Sequence, residues 1–271
     1  MPELTSTAER LSLLIEIGGV PVRLNTSDAG FLQMLEGRYA GFGGSSRGAA
    51  FEFDVDVAGC GTADPDADVR VTQKHGHWTL ERGDFRAEWE PKARRGWVRQ
   101  SANPYSIDSV LRIVHTLVLA EEGGFLLHAA SAVRNRQAFL FSGPSGAGKT
   151  TITRLAPANV TLLTDEISYV RKSGSGYTAF GTPFAGELAK NGENISAPIS
   201  TLFILQQGPE NGIEPMDEAE AARALLSNIL FFAEDPEFVT KVFLSACEFV
   251  AQVPVKRLTF TPDERVWTLI A

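Results

Sequence analysis

The sequence predicts an α/β fold in two parts: a β-rich N-terminal module over residues 1–103 and an alternating strand and helix core over 104–271. Three observations carry that prediction. Residues 50–57 read Ala-Phe-Glu-Phe-Asp-Val-Asp-Val, the apolar/acidic alternation of a half-buried strand. From Phe125 onward, short apolar runs alternate with helical patterns. Between two of those runs stands Gly143-Pro144-Ser145-Gly146-Ala147-Gly148-Lys149-Thr150, a loop of the form GxxxxGK[ST].

The elements follow in chain order. Leu13 to Leu24 is apolar and β-branched, and Gly18-Gly19 breaks it into a hairpin. After the strand at 50–57, the Gly-, Asp- and Pro-rich stretch 59–68 reads as a loop. Val69–Thr72 with Trp78–Glu81, and Phe85–Trp89 with Trp97–Arg99, read as further strand pairs, with Trp78, Trp89 and Trp97 as core aromatics. Ser106, just after Pro104, reads as the N-cap of a helix reaching about Glu122, and Gly123-Gly124 ends it. The apolar positions of that helix cover more than one stripe, so it should be buried over much of its surface. Strands are then expected at Phe125–Val133 and Ala138–Ser142, with Asn135 in the turn between them. The glycine loop leads into a short helix to about Leu155, and a strand follows at Asn159–Thr164. Ser168–Arg171 and Tyr177–Phe180 form a hairpin around Gly174-Ser175-Gly176, followed by a strand at Thr201–Gln206. Helices are expected at Asp217–Phe232 and Pro236–Val250, with closing strands at Val255–Phe260 and Arg265–Ile270.

Composition narrows the function. The chain has 271 residues, 44% hydrophobic and 21% charged, enough to bury a core and unlike a disordered, collagenous or coiled-coil chain. A formal net charge of -8 repels a phosphate backbone, so nucleic acid is not the expected partner. The longest basic cluster, Lys92-Ala93-Arg94-Arg95, reads as a solvated turn. Cys60 and Cys247 form no CxxC pair and no disulfide framework, which points to a reducing compartment and a cytoplasmic protein. The N-terminal stretch carries acidic residues at once, and its apolar part, Leu11–Ile17, contains Glu16, so no signal peptide is expected. No run of 18 apolar residues exists, so no membrane partner is expected; the nearest candidate, Val110–Ala120, is interrupted by Arg112 and His115.

The chemistry concentrates in two places. Glycines let the loop backbone fold so that consecutive N–H groups point inward at phosphate oxygens, and the helix that begins near Gly148 adds its positive end. A nucleotide would therefore meet Gly143, Pro144, Ser145, Gly146, Ala147, Gly148, Lys149, Thr150 and Thr151, with Lys149 on the β- and γ-phosphates and the Thr150 hydroxyl on Mg²⁺. Sixteen residues after Lys149, an apolar strand delivers Asp165 and Glu166 at its C-terminal end, where ligands bind in open α/β sheets. On an extended chain these neighbours point to opposite sides, one toward a substrate hydroxyl and one toward a metal. A carboxylate beside a γ-phosphate either holds Mg²⁺ or accepts the proton of an attacking hydroxyl, and the pattern alone does not assign the two.

Leu127-His128-Ala129-Ala130, the strand pair, the loop GPSGAGKTT and the strand end LLTDE together resemble the C-terminal domain of HPr kinase/phosphorylase over about residues 125–170. That resemblance implies a nucleotide core of the HPr kinase/phosphoenolpyruvate carboxykinase type and ATP- and Mg²⁺-dependent phosphorylation of a serine on a protein or peptide. It also implies roles: Asp165, on the first Asp of that family's pair, as general base, His128 beside it, and Lys149 and Thr150 in the loop. Glu166 falls on the second Asp of the pair, departs from it by one methylene, and is taken with Thr150 as the metal-side candidate. The resemblance stops beyond the hairpin. Gly181-Thr182-Pro183-Phe184-Ala185-Gly186-Glu187 stands where that family carries a metal-side Glu in an Arg-Gly-Leu-Gly context, and Glu187 is the candidate substitute. The N-terminal strands do not look like that family's regulatory domain, and the sequence resembles the shorter members that accompany peptide natural-product clusters. Three alternatives stay open: a small-molecule kinase of the same fold, a phosphorylase or phosphatase, and a nucleotide-binding accessory module. The acceptor is not identified, and a homo-oligomer is compatible with the reading.

Other positions carry less. His75 and His77 share a strand face, but no third Cys or His follows at ligand spacing. Arg154, on the loop helix, is expected to face solvent, and neither it nor Arg223 can be chosen as the arginine that stabilises a transferring phosphate. Residues 1–103 are a candidate acceptor-binding or assembly module.

Overall fold

The computed structural model describes residues 10–44, 48–59, 67–184 and 192–270, and it is a mixed α/β structure with two sheets. Its contacts divide into two units: one takes residues up to Glu16 and Val20–Leu111, the other Ile17–Gly19 and Arg112 onward.

The first unit is built on the alternating segments. β1 (Leu11–Ile17) and β2 (Val20–Thr26) form the hairpin at Gly18-Gly19. They are followed by β3 (Phe51–Val57), β4 (Arg70–Lys74), β5 (His77–Arg82), β6 (Phe85–Glu90) and β7 (Arg95–Gln100). The strand order is β1-β2-β3-β7-β6-β5-β4, with β3 parallel to both β2 and β7 and the remainder an antiparallel meander. Alternation along β3 buries Phe51, Phe53 and Val55, and Phe53 stacks on Trp89 with ring centroids 5.4 Å apart. Trp78 and Trp89 are core residues, while Trp97 is half-buried.

A parallel pair needs a crossover, and between β2 and β3 the chain supplies α1 (Ala29–Arg38), a helix the sequence pattern did not reveal. Asp28 caps it by accepting the Phe31 N–H at 2.8 Å. Only Phe31 and Leu35 of α1 are buried, a single i,i+4 pair and too short a stripe to read as a helix.

α2 (Pro104–Glu122) starts earlier than expected. Its cap is Asn103 rather than Ser106: the Asn103 side-chain oxygen accepts the N–H groups of Tyr105 and Ser106 at 2.9 and 3.0 Å. Pro104 suits the first helical position because it has no N–H to satisfy. Within the first unit, buried Asp108 accepts from Arg38 Nε at 2.9 Å and from the Tyr39 hydroxyl at 2.6 Å. Removing one partner of such a buried pair strands the other charge. Asp108→Ala is therefore expected to lower the unfolding free energy by about 3–5 kcal/mol. A urea titration checks this; a loss under about 1 kcal/mol, the range of an exposed pair, would contradict it.

The second unit holds β8 (Phe125–Arg134), β9 (Gln137–Ser142), α3 (Lys149–Arg154), β10 (Thr161–Thr164), β11 (Ile167–Ser173), β12 (Gly176–Phe180) and β13 (Ser196–Gln207). β14 (Gly212–Pro215), α4 (Glu218–Leu226), β15 (Ile229–Leu230), α5 (Pro236–Gln252) and β16 (Val255–Phe260) complete it. The order is β10-β8-β11-β12-β13-β16-β14, with β9 pairing both β8 and β13 and β15 pairing β8. β13 runs parallel to β9 and to β16, and the other pairings are antiparallel. Even-numbered β8 residues Ala130 and Ala132 pack in one apolar cluster with Phe141, Ile152 and Phe260; odd-numbered Leu127 and Ala129 pack in another with Leu140 and Phe249.

Two expected elements are corrected. The helix from Asp217 stops at Leu226, not Phe232. Asn228 Nδ2 donates to the Ala224 carbonyl, and Ile229–Leu230 then pair with Leu127 and Leu126 of β8. Arg265–Ile270 is not a strand; Glu264–Thr268 is a 3₁₀ turn. Trp267 Nε1 donates to the Ile152 carbonyl at 3.0 Å, and Arg134 donates to the carbonyls of Trp267 and Ile270, so side-chain anchors outweigh the β-propensity of Val266, Trp267 and Ile270. Among the described residues, no helix is long and apolar enough to cross a membrane.

Candidate functional site

The site lies where β8 changes partners on both edges. On one edge, β9 pairs with Ala129–Arg134 and leaves at Ser142, whose hydroxyl donates to the His128 carbonyl at 2.9 Å. The His128 N–H then passes to the Asn228 carbonyl at 2.8 Å, at the start of the β15 pairing. On the other edge, β10 ends at Thr164, opposite Ser131, and β11 begins at Ile167, opposite His128. The two residues between them are Asp165 and Glu166. The glycine loop thus departs from one side of β8 and the acid pair bends on the other, with His128 on the strand between.

Two threonines hold the acid bend. Thr164 Oγ1 accepts the N–H groups of Glu166 and Ile167, both at 3.2 Å, a side-chain turn that replaces ladder bonds. Buried Thr182 donates its N–H to the Leu163 carbonyl at 3.2 Å and its hydroxyl to the Ile167 carbonyl at 3.0 Å, so one residue ties both sides. This corrects the expectation of an extended chain with opposed acids: residues 165–166 are a bend, and strict alternation does not govern them. Their surroundings still differ. Asp165 is 7% exposed, whereas the Glu166 side chain is 36% exposed and lies 3.8 Å from the Arg112 guanidinium.

In the loop, the Lys149 ammonium donates to the carbonyls of Gly143 at 2.9 Å and Pro144 at 3.3 Å. Gln207 Nε2 at the end of β13 donates to the Gly146 carbonyl at 2.7 Å. Gly148 has φ +110, and a Cβ there would sit 2.6 Å from the Phe260 ring, so the position needs glycine both for its conformation and for its space. α3 has six residues, and so short a helix adds little macrodipole.

His128 is half-buried, and burial together with the charge of Lys149 holds its pKa below the ordinary histidine value. It is therefore neutral at pH 7 and close enough to Lys149 to feel its charge.

Sequence reasoning missed two residues here. Arg112 sits beside Glu166 and over the Phe184 ring, 5.0 Å from its centroid. A charge inside an all-round apolar helix was its only signal. Thr182 gave no signal, because its role depends on strand pairing far away in sequence. Arg154 and Arg223 are exposed. His75 lies in a turn at φ +53, and His77 Nε2 lies 3.6 Å from Glu90; among the described residues, no group of three His, Cys, Asp or Glu side chains is placed to hold a metal. Glu187 and Cys60 fall outside the described residues, and Cys247 is a half-buried free thiol.

The family model described as SynChlorMet cassette protein ScmC matches residues 99–271. No curated protein matches the chain. Among solved structures it is similar to the Hpr(Ser) kinase/phosphatase from Coxiella burnetii, at 12% identity and a TM-score of 0.29, over 54% of this chain and 85% of that one.

Proposed function

The chain belongs to the SynChlorMet cassette protein ScmC family, and we propose that it is an ATP-dependent phosphotransferase that moves the γ-phosphate to a hydroxyl, a serine on a protein or peptide. One observation carries the reading: the glycine loop with its lysine and the bend with its buried carboxylate flank a single strand residue, His128. The peptide-serine acceptor is supported by the resemblance of residues 125–170 to HPr kinase/phosphorylase.

The donor set suits Mg²⁺, which is usually held by one or two carboxylates together with substrate phosphates rather than by an all-protein cage. Thr150 would hold it with a carboxylate from the 165–166 bend, and when bound it neutralises charge on the β- and γ-phosphates. The close approach of the loop at Gly148, where any side chain would meet Phe260, fits a backbone that wraps phosphate.

Asp165 accepts the proton of the acceptor hydroxyl as that oxygen bonds to the γ-phosphorus. The bond to the β–γ bridging oxygen breaks, and ADP leaves with the electron pair. Lys149 exchanges its loop carbonyls for phosphate oxygens and stabilises the charge that spreads over them. His128, held neutral, adds no positive charge beside Lys149. Glu166, balanced by Arg112, keeps a second carboxylate at the bend for the metal side.

The test is transfer of label from γ-labelled ATP into a lysate of the source organism. A labelled protein or peptide carrying phosphoserine is expected with the native enzyme and not with Asp165→Ala or Lys149→Ala. Label only in a small molecule would overturn the acceptor class. Absence of Mg-ATP binding would overturn the reading altogether.

A further inference from the structure

Three strands of the second unit lie parallel side by side, β9, β13 and β16, and loops leave their carboxyl ends in the same order. The glycine loop follows β9, residues 208–211 follow β13, and residues 261–263 follow β16. In α/β sheets the crevice outside the carboxyl ends is where ligands lie. The loops after β13 and β16, with the 3₁₀ turn, enclose an open cleft of about 310 Å³, at the lower end of the range for small-molecule sites. Gln207, the last residue of β13, bonds the glycine loop at Gly146, and the Gly208 N–H donates to the Phe260 carbonyl. The cleft is therefore the next position along the strand ends from the loop.

Its chemistry suits the uncharged end of a ligand. Pro209 and the exposed Leu269 give apolar surface for a flat ring. Asn211 Oδ1 accepts the Thr261 N–H at 2.9 Å, which fixes the amide so that its NH₂ can donate to a base or ribose. Thr268 adds a hydroxyl to the wall. Arg265 is neutralised by Asp263, which accepts from its Nε at 2.8 Å, and its flat guanidinium can stack on a ring. Glu210 in the lining repels a phosphate. We propose that this cleft binds the nucleoside end of the nucleotide whose phosphates the glycine loop takes, an inference that rests on the nucleotide reading of that loop.

The experiment titrates the full chain with Mg-ATP and, separately, with Mg-tripolyphosphate, which keeps the phosphates and lacks the nucleoside. Native protein is expected to bind ATP at least about tenfold more tightly than tripolyphosphate, a gap of about 1.4 kcal/mol. Leu269→Asp should erase most of that gap and leave tripolyphosphate affinity unchanged, which also reports that the variant is folded. Arg265→Ala, at a side chain 79% exposed, is the second variant and should weaken ATP alone by several-fold. ATP bound no better than tripolyphosphate, or both variants binding ATP like the native protein, would overturn the cleft while leaving the loop intact. If native protein binds neither ligand, the loop reading fails and takes the cleft with it.

Discussion

Asp165→Asn is expected to slow phosphoryl transfer by about 10²- to 10⁴-fold, the usual contribution of a positioned general base, while Mg-ATP affinity stays within about threefold. The substitution keeps the shape of a side chain that is buried in a bend fixed by Thr164 and Thr182, so the loss belongs to the missing carboxylate. Lys149→Met should behave differently. It removes the cation that the loop carbonyls now hold and a phosphate would claim, so affinity and transfer fall together, with transfer down by about 10²- to 10³-fold. Single-turnover transfer and equilibrium titration on the same preparations separate the two. The pH profile gives a third readout. Because burial and the charge of Lys149 hold the His128 pKa below its ordinary value, an acid limb of native transfer that comes from this imidazole should have its midpoint on the acid side of the ordinary histidine value, as the ring gains a proton beside Lys149. His128→Gln should lose that acid limb. An acid limb with its midpoint above the ordinary histidine value of 6.5, and absent in His128→Gln, would argue against a neutral His128 in the site.

What the sequence displayed and what it hid follow from how far apart the interacting residues lie. The glycine loop was legible because its chemistry is local: eight consecutive residues carry the turn, the cation and the hydroxyl. Asp165 and Glu166 were legible as a strand end, but their bend was not: the adjacent Thr164 hydroxyl closes it, while Thr182 on a separate segment and a register shared with Ser131 and His128 fix it in place. Arg112 was visible only as a charge inside an apolar helix; its pairing with Glu166 bridges residues more than fifty positions apart. The same division holds for the fold. The hairpins and strict alternations were read from the chain, whereas α1 hides behind a single buried i,i+4 pair and the 3₁₀ turn at 264–268 exists because Arg134 and Ile152 anchor it. The three parallel strands that align the glycine loop with the neighbouring cleft come from sequence-distant pairings that no local pattern encodes.

The second large effect expected is loss of stability in acid through His115. This residue lies on α2, fully buried, with Nδ1 3.0 Å from the Tyr169 hydroxyl. Burial, with a smaller contribution from Arg171, lowers its pKa to about 3. In the unfolded chain the same imidazole titrates near 6.5. Above pH 6.5 both states are neutral and His115 contributes no pH dependence. Between 6.5 and about 3 the unfolded chain binds a proton that the folded chain refuses, so stability falls as pH falls, by about 1.4 kcal/mol per unit. By pH 3 the loss is on the order of 4–5 kcal/mol, a large share of the 5–15 kcal/mol that holds a typical domain. His128, also depressed, adds to the slope with the same sign. The unfolding free energy, measured by urea titration at several pH values, should therefore be level from pH 8 to 7 and decline steadily below 6.5. His115→Gln, whose amide can still meet the Tyr169 phenol, should be less stable at pH 7 but flatter by about 1.4 kcal/mol per unit between pH 6 and 5. Parallel declines for the native chain and the variant would mean that the acid sensitivity resides in the carboxylate pairs instead, with Asp84 the first to examine, since its bonds from Arg82 and Ser106 hold its pKa below the usual range despite the opposing effect of burial.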